Sequence, residues 1–359
     1  MKIRTATPSL PQKKVFFEIV NSLFETNQLS NNGPLVKKFT NMLKKRFQLK
    51  NLILCNNATM GLQVALKVLN SKKVLTTPFT FIATVNAIRW LNLETVYSDI
   101  SSTSLNLDPK KINKKLLRKV DTILPVNSFG NNSNFEEFEK FRQKGKKIIY
   151  DASHCFGMRY KKKSILNNGD ASIVSLHATK IFNTCEGGMI VFRKRKDYVL
   201  AKKIIQNGLN HKFPNKSVVG LNSKFSELQA AWGLALLKRF EHIKHKRLNV
   251  FKCYKSNLNK KIAIPIINEK ENNFSYIPII IKNETILKII VKKLKKESIE
   301  VRRYFYPSTE NLVKSKLKNN ISISKNISKR ILCLPTSEYL KKEKIIKITK
   351  IINKIYKSI

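Results

Sequence analysis

Through the first ~240 residues, short apolar runs bounded by polar turns alternate with longer stretches of helical period. The runs Leu52–Cys55, Val74–Thr76, Thr95–Ser98, Thr122–Pro125, Lys147–Tyr150, Ala171–Ser175 and Met189–Phe192 read as strands. Ala58–Leu69 is the clearest helix. Its Leu62, Ala65, Leu66 and Leu69 fall at i, i+3, i+4 and i+7, one apolar face. Phe225–His242 is predicted as a second long helix. This alternation is the pattern of an α/β domain around a mostly parallel sheet. From Lys244 the texture changes to a helix, a strand at Phe274–Ile281, a helix at Thr285–Lys296, the segment Val301–Tyr306 and a closing helix. In the closing helix Ile345, Ile348, Ile352, Ile355 and Ile359 form a stripe against lysines. The pattern predicts a larger domain over residues 1–243 and a smaller α/β domain over 244–359. Residues 1–30 are expected to pack on the smaller one. No internal repeat or long linker interrupts it.

Composition adds one surprise. Hydrophobic residues make up 42% of the 359, ordinary for a globular chain, yet 70 Lys and Arg face 23 Asp and Glu. A net charge of +47 invites a nucleic-acid reading. The charge is not local, however: pairs such as Lys13–Lys14, Lys110–Lys111, Lys202–Lys203 and Lys341–Lys342 recur from end to end, and no basic arm stands out. Lys, Asn, Ile and Phe are also the residues that A/T-rich codons specify, so the charge reads as drift of the surface composition. Such a field would still attract an anionic substrate. Apolar runs such as Tyr276–Ile281 are too short to span a bilayer, and the opening MKIRTATPSLPQKK lacks the apolar core of a secretory signal. A cytoplasmic location is expected. The five widely spaced cysteines suit reduced thiols better than a disulfide framework or a metal site, and Cys185 reads as a small buried filler.

Polar residues recur just past the predicted strands, where open parallel sheets bind ligands. Cys55-Asn56-Asn57-Ala58-Thr59 joins a strand to the apolar-faced helix. Its backbone N–H groups and the Thr59 hydroxyl could hold an anion, or Asn57 or Thr59 could simply cap the helix. In Thr77-Pro78-Phe79-Thr80-Phe81 an aromatic could stack on a planar cofactor or fill the core. Asp151 ends an apolar strand and must find a partner, either a cationic ring nitrogen or a helix start. Lys180 follows it in a Ser-x-His-x-x-Lys setting with Glu186-Gly187-Gly188 just beyond. Together these meet the needs of pyridoxal phosphate (PLP): a lysine for the Schiff base, a carboxylate for the ring nitrogen, an aromatic over the ring, and donors for the phosphate.

The segments TTPFTFIATVNAI, YSDISSTSLNLDPKKI, IIYDASHCFG, SIVSLHATKIFNTCEGGMIVF, GLNSKFSELQAAWGLALLKRFE, RRYFYP and RILCLP resemble the DegT/DnrJ/StrS nucleotide-sugar aminotransferases over nearly the whole chain. The resemblance implies PLP fold type I and Lys180 as the Schiff-base lysine and proton shuttle. It implies Asp151 at the pyridine nitrogen, Phe81 over one ring face, and His154, where many relatives carry Gln, close to the cofactor. Ala58, Thr59 and Ser175 would hold the phosphate. Asn222 would reach it across a homodimer interface, with Lys224 a second candidate. Lys180 favours transamination, since relatives with His there act as dehydratases. The subfamily most resembled consists of 4-aminotransferases, which pass the amino group of L-glutamate to C4 of dTDP-4-keto-6-deoxyglucose for surface polysaccharide, O-antigen included, or other amino-sugar products. Asn31–Pro34 and Arg302–Tyr306 are candidates for holding the nucleotide sugar. The alternatives are a 3-keto sugar, a UDP- or GDP-linked 4-keto sugar, or a non-catalytic nucleic-acid-binding member of the fold. Asn127 and Asn134 stand where relatives often have His and Asp. With only 11 Gly, turns are expected to use Asn in left-handed geometry.

Overall fold

The computed structural model describes residues 2–209, 214–313 and 320–357. Its strands are β1 (Asn51–Cys55), β2 (Lys73–Thr76), β3 (Glu94–Tyr97), β4 (Thr122–Ile123) and β5 (Lys147–Asp151). A short hairpin, β6 (Arg159–Tyr160) and β7 (Lys163–Ser164), precedes β8 (Ala171–Ser175) and β9 (Gly188–Phe192). All seven predicted strands are present and pair into one sheet in the order β1-β9-β8-β5-β4-β2-β3. Every pairing is parallel except those of β9 with β1 and β8.

Strands β1, β8 and β9 are buried along their whole length, as expected of a sheet covered on both faces. Their side chains alternate between two cores: Leu52 and Leu54 point to one, Ile53 and Cys55 to the other. Helices α1 (Lys13–Thr26) and α2 (Pro34–Phe47) lie on the first side. Helix α3 (Ala58–Val68), the amphipathic helix read from the sequence, covers the other. Helix α4 (Ile82–Trp90) packs against α3.

The predicted helix Phe225–His242 is two. Helix α8 (Glu227–Leu237) ends at Lys238-Arg239, and α9 (Phe240–Asn257) follows directly; α5 to α7 lie earlier, at Lys114–Lys119, Phe135–Gln143 and Arg195–Ile204. At the break the chain is tied to distant segments. The Arg239 guanidinium bonds the Leu10 carbonyl and, at 2.7 Å, Glu338. Phe240 and Ile243 then stay in the first core, while Val250, Phe251 and Tyr254 of the same helix enter a separate one. That third core is built by α10 (Glu284–Lys296), α12 (Lys342–Lys357) and the antiparallel pair β10 (Ile277–Ile280) and β11 (Ile331–Leu334). Between α10 and α12 comes α11 (Ser322–Arg330). Ile345, Ile348 and Ile352 of the predicted stripe are buried; Ile359 lies outside the described residues.

Strand β10 begins three residues later than the sequence pattern suggests, because Phe274 takes φ 53° and Asn272 and Asn273 turn the chain there. Near the start of the chain Ile3 bridges Ile299 and Ala6 bridges Thr336, whereas α1 packs on α8. The expectation about turns holds: Asn27, Asn31, Asn32, Asn70, Asn92 and Asn207 all adopt positive φ. No helix among the described residues is long and apolar enough to cross a membrane.

Candidate active site

Register decides which strand ends meet. Cys55 of β1 and Ser175 of β8 each pair with Gly188, the first residue of the antiparallel strand between them. A Cβ on Gly188 would lie 2.6 Å from the Asn57 carbonyl group and 2.8 Å from the Ala58 nitrogen. Only glycine lets β9 run this close under the start of α3, and this is the physical content of the Glu-Gly-Gly signature. The start of α3 is capped by Asn57, whose side chain accepts from the Met60 N–H at 2.9 Å. Asn57 is therefore the cap. Ala58 and Thr59, the first two helical residues, line the cleft above it.

That cleft, about 270 Å³, is also lined by Phe81, Asp151, His154, Ser175 and Lys180. Asp151, the last residue of β5, is 5% exposed. Its Oδ1 accepts from the Ser153 N–H at 3.1 Å and the Ser153 hydroxyl at 2.5 Å; its Oδ2 accepts from the Thr84 hydroxyl at 2.7 Å. Thr84 is in turn 2.8 Å from Thr80. The carboxylate is thus fixed by short hydroxyl contacts from helix α4 and from the loop after β5. None is a cation, so its charge has no counter-ion among these contacts.

His154 is buried, and its Nδ1 accepts the Phe129 N–H at 3.1 Å, which leaves the ring proton on Nε2. Burial, and then the charge of Lys180, hold its pKa well below the usual imidazole value. Phe81 is 54% exposed and meets Tyr304 edge-on, so it is not core; Phe79, fully buried, fills that role. Ser175 Oγ accepts from the His177 N–H at 3.3 Å. Lys180 sits on the loop after β8, with its Nζ 3.2 Å from the Tyr276 hydroxyl. Asn222 lies outside this cleft on an exposed segment bridged to Gln206, and Lys224 lines a different hollow. Cys185 is a correction: it is exposed, with φ 63°, at the turn that carries Glu186 into the cleft. The turn leaves its side chain outside the core, so it is not a filler.

The model of the DegT/DnrJ/EryC1/StrS aminotransferase family matches residues 12–353. The chain belongs to that family. With the transaminase names of its relatives, that membership makes this chain a PLP-dependent sugar transaminase. A dTDP-4-amino-4,6-dideoxy-D-glucose transaminase of Escherichia coli is 32% identical over 98% of each chain. One from Shigella dysenteriae is 32% identical over 91% of this chain and 92% of its own. DesI, solved in the presence of its TDP-sugar product, superposes with a TM-score of 0.93 over 99% of this chain and 94% of its own; at 24% identity it speaks for the fold.

The residues present fit the family's cofactor. A glycine-cleared helix start and two hydroxyls, Thr59 and Ser175, suit a phosphate. A buried carboxylate without a cation suits a protonated ring nitrogen, and the amine of Lys180 shares their cleft. Sequence reasoning missed Thr84 and Tyr276. Thr84 had no local signal, since a threonine within a helix does not mark its partner. Tyr276 had no local signal, since an aromatic before an apolar strand reads as core. Arg302 and Tyr304, joined at 2.8 Å, line the cleft as the RRYFYP segment suggested.

Proposed function

We propose that this chain transfers the amino group of L-glutamate to the 4-keto carbon of a nucleotide-linked 4-keto-6-deoxy sugar. The first choice is dTDP-4-keto-6-deoxyglucose, giving dTDP-4-amino-4,6-dideoxyglucose for surface polysaccharide such as O-antigen, or another amino-sugar product. The observation that carries the reading is one cleft holding Lys180, Asp151 and a capped, glycine-cleared helix start. The likeness of name and length among the two dTDP-sugar relatives supports the substrate. PLP supplies the electron sink that acidifies the carbon bearing the amino group. Lys180 holds the cofactor and moves the proton to and from that carbon. Asp151 keeps the ring nitrogen charged. Phe81 covers one ring face, His154 donates from Nε2 at close range, and Ala58, Thr59 and Ser175 hold the phosphate. Arg302 and Tyr304 bind the nucleotide sugar.

The enzyme works in the cytoplasm as a homodimer, and Asn222 of the partner subunit, with Lys224 as its neighbour, completes each phosphate site. Residues 1–243 and 244–359 act as the two domains around the cleft. A second reading keeps the chemistry and changes the nucleotide. It is favoured by the resemblance to a GDP-perosamine synthase at 26% identity over 97% of each chain and to UDP-sugar transaminases at 28%. Titrating the PLP-reconstituted protein with glutamate and then with dTDP-4-keto-6-deoxyglucose tests both. The cofactor's visible absorbance should disappear with glutamate and return with the sugar. Return only with a GDP- or UDP-linked keto sugar moves the assignment to the second reading, and no response to glutamate overturns both.

A further inference from the structure

Lys180 has a fixed partner that comes from the far side of the chain. Its Nζ is 3.2 Å from the Tyr276 hydroxyl and 5.3 Å from the centre of the same ring. A phenol oxygen accepting from an ammonium, and a ring face near the same charge, both favour an amine held at this spot. The phenol itself is enclosed. Tyr276 is 1% exposed, its ring 4.5 Å from that of His154 and 5.4 Å from that of Tyr304. The backbone before it is clamped three ways. Asn273 donates to the carbonyls of His154 and Phe156 at 2.8 and 3.0 Å and accepts from Ser275 N–H at 3.0 Å. Asn272 donates to the Phe129 and Gly130 carbonyls. The fully buried Arg247 donates to the Ser275 carbonyl at 3.2 Å. All this holds one hydroxyl still, and nothing but the amine of Lys180 is hydrogen-bonded to it among the described residues.

We propose that Tyr276 is a positioning residue for the reaction: its hydroxyl is the resting point of the Lys180 amine whenever that amine is free of the cofactor. The proposal rests on the reading of Lys180 as the cofactor's lysine. Over a full transamination the lysine would give up the cofactor in the first half-reaction, move a proton in each, and rejoin the cofactor only at the end of the second, so its amine is free between the two. A four-carbon stem has many rotamers, and a fixed acceptor beside the site removes most of the search. Tyr276 lies behind the residues that line the cleft, so its removal is expected to act on turnover and not on substrate affinity.

The test is Tyr276→Phe, which keeps the ring and its packing, beside Tyr254→Phe, which removes a buried hydroxyl remote from the cleft. For Tyr276→Phe, kcat is expected to fall about tenfold or more while KM for glutamate and for the keto sugar stays within about threefold. In the cofactor-free protein, trace acetylation read by peptide mass should label Lys180 severalfold faster in the variant, because the amine has lost its acceptor. Tyr254→Phe should change neither. A kcat within about twofold of wild type, or a fall in kcat with unchanged labelling of Lys180, overturns the proposal. If Tyr276→Phe fails to fold, 3-fluorotyrosine at 276 keeps the shape and weakens the acceptor, and unaltered kcat and labelling there are equally fatal. Lys180→Ala, run in parallel, separates the two claims: turnover without Lys180 sinks the lysine assignment itself, whatever Tyr276 does.

Discussion

At the scale of single residues, the site is made of groups whose protonation and direction are set by neighbours. His154 is buried, accepts at Nδ1 from the Phe129 N–H, and is held neutral by burial and by Lys180. Because its pKa is lowered in the folded state, protons bind the unfolded chain first as the pH drops below ~6.5, the ordinary imidazole value. Stability should therefore fall on acidification below that point, by up to about 1.4 kcal/mol per pH unit from this group. His154→Gln removes the titration, and urea melts between pH 7 and 5 should show a shallower slope for the variant. For the carboxylate, Asp151→Asn keeps the shape and the Thr84 and Ser153 contacts but removes the charge. Turnover is expected to fall at least about 10²-fold with PLP still bound, checked by single-turnover kinetics. Near-native kcat would remove Asp151 from the ring-nitrogen role. Lys180 and Asp151 were legible from spacing and residue type. Thr84 and Tyr276 were not, because a threonine on a helix and a tyrosine before a strand carry no local mark of what they touch.

Among the elements, several residues of the sequence motifs act on structure and not on chemistry. Glu227, in the SELQAAWG segment, is fully buried and accepts the Leu35 and Val36 N–H groups at 2.7 and 3.1 Å, capping α2 from another helix. A Cβ at Gly33 would sit 2.7 Å from that carboxyl carbon, so the Asn31–Pro34 turn is built around Glu227. Glu227→Ala leaves two buried donors unpaired and should cost about 3 kcal/mol, read as a lower denaturant midpoint. Asp99, in YSDISSTSLNLD, likewise takes the Ile323 and Ser324 N–H groups at 2.9 and 2.8 Å at the start of α11, more than two hundred positions away. The cap at Asn57 is local and could be read from sequence; these two close over distances that no pattern encodes. Gly188→Ala should push the start of α3 away and weaken PLP binding far more than it lowers the melting temperature, measurable by fluorescence titration of the cofactor.

The molecule as a whole brings the site together from both ends of the chain. Helix α9 belongs to two cores, and the 272–276 turn from beyond it closes on the loops after β4 and β5. If each site also needs Asn222 of the partner subunit, two damaged chains should repair one another. Lys180→Ala and Asn222→Ala enzymes, mixed after reversible dissociation, should recover about a quarter of wild-type activity, since half the dimers are hybrid and each hybrid has one intact site. No recovery, with hybrids demonstrated by mass spectrometry, would show that Asn222 serves its own subunit's site or none.

By itself the sequence determined the alternation of strand and helix, the seven strands of the sheet, the amphipathic α3, and the lysine and aspartate of the cleft. Those are local properties: side-chain period, capping chemistry, and residue types fixed by the reaction at short spacing. Asparagine in place of glycine at turns was legible for the same reason, since left-handed backbone is a property of one residue. Tertiary structure alone decided the break between α8 and α9, the two remote caps, the exposure of Cys185 and the meeting of Lys180 with Tyr276. Each depends on a partner far along the chain or on the space a neighbour leaves. A chain's pattern records which face a residue turns inward; what it meets there is set only when the layers pack.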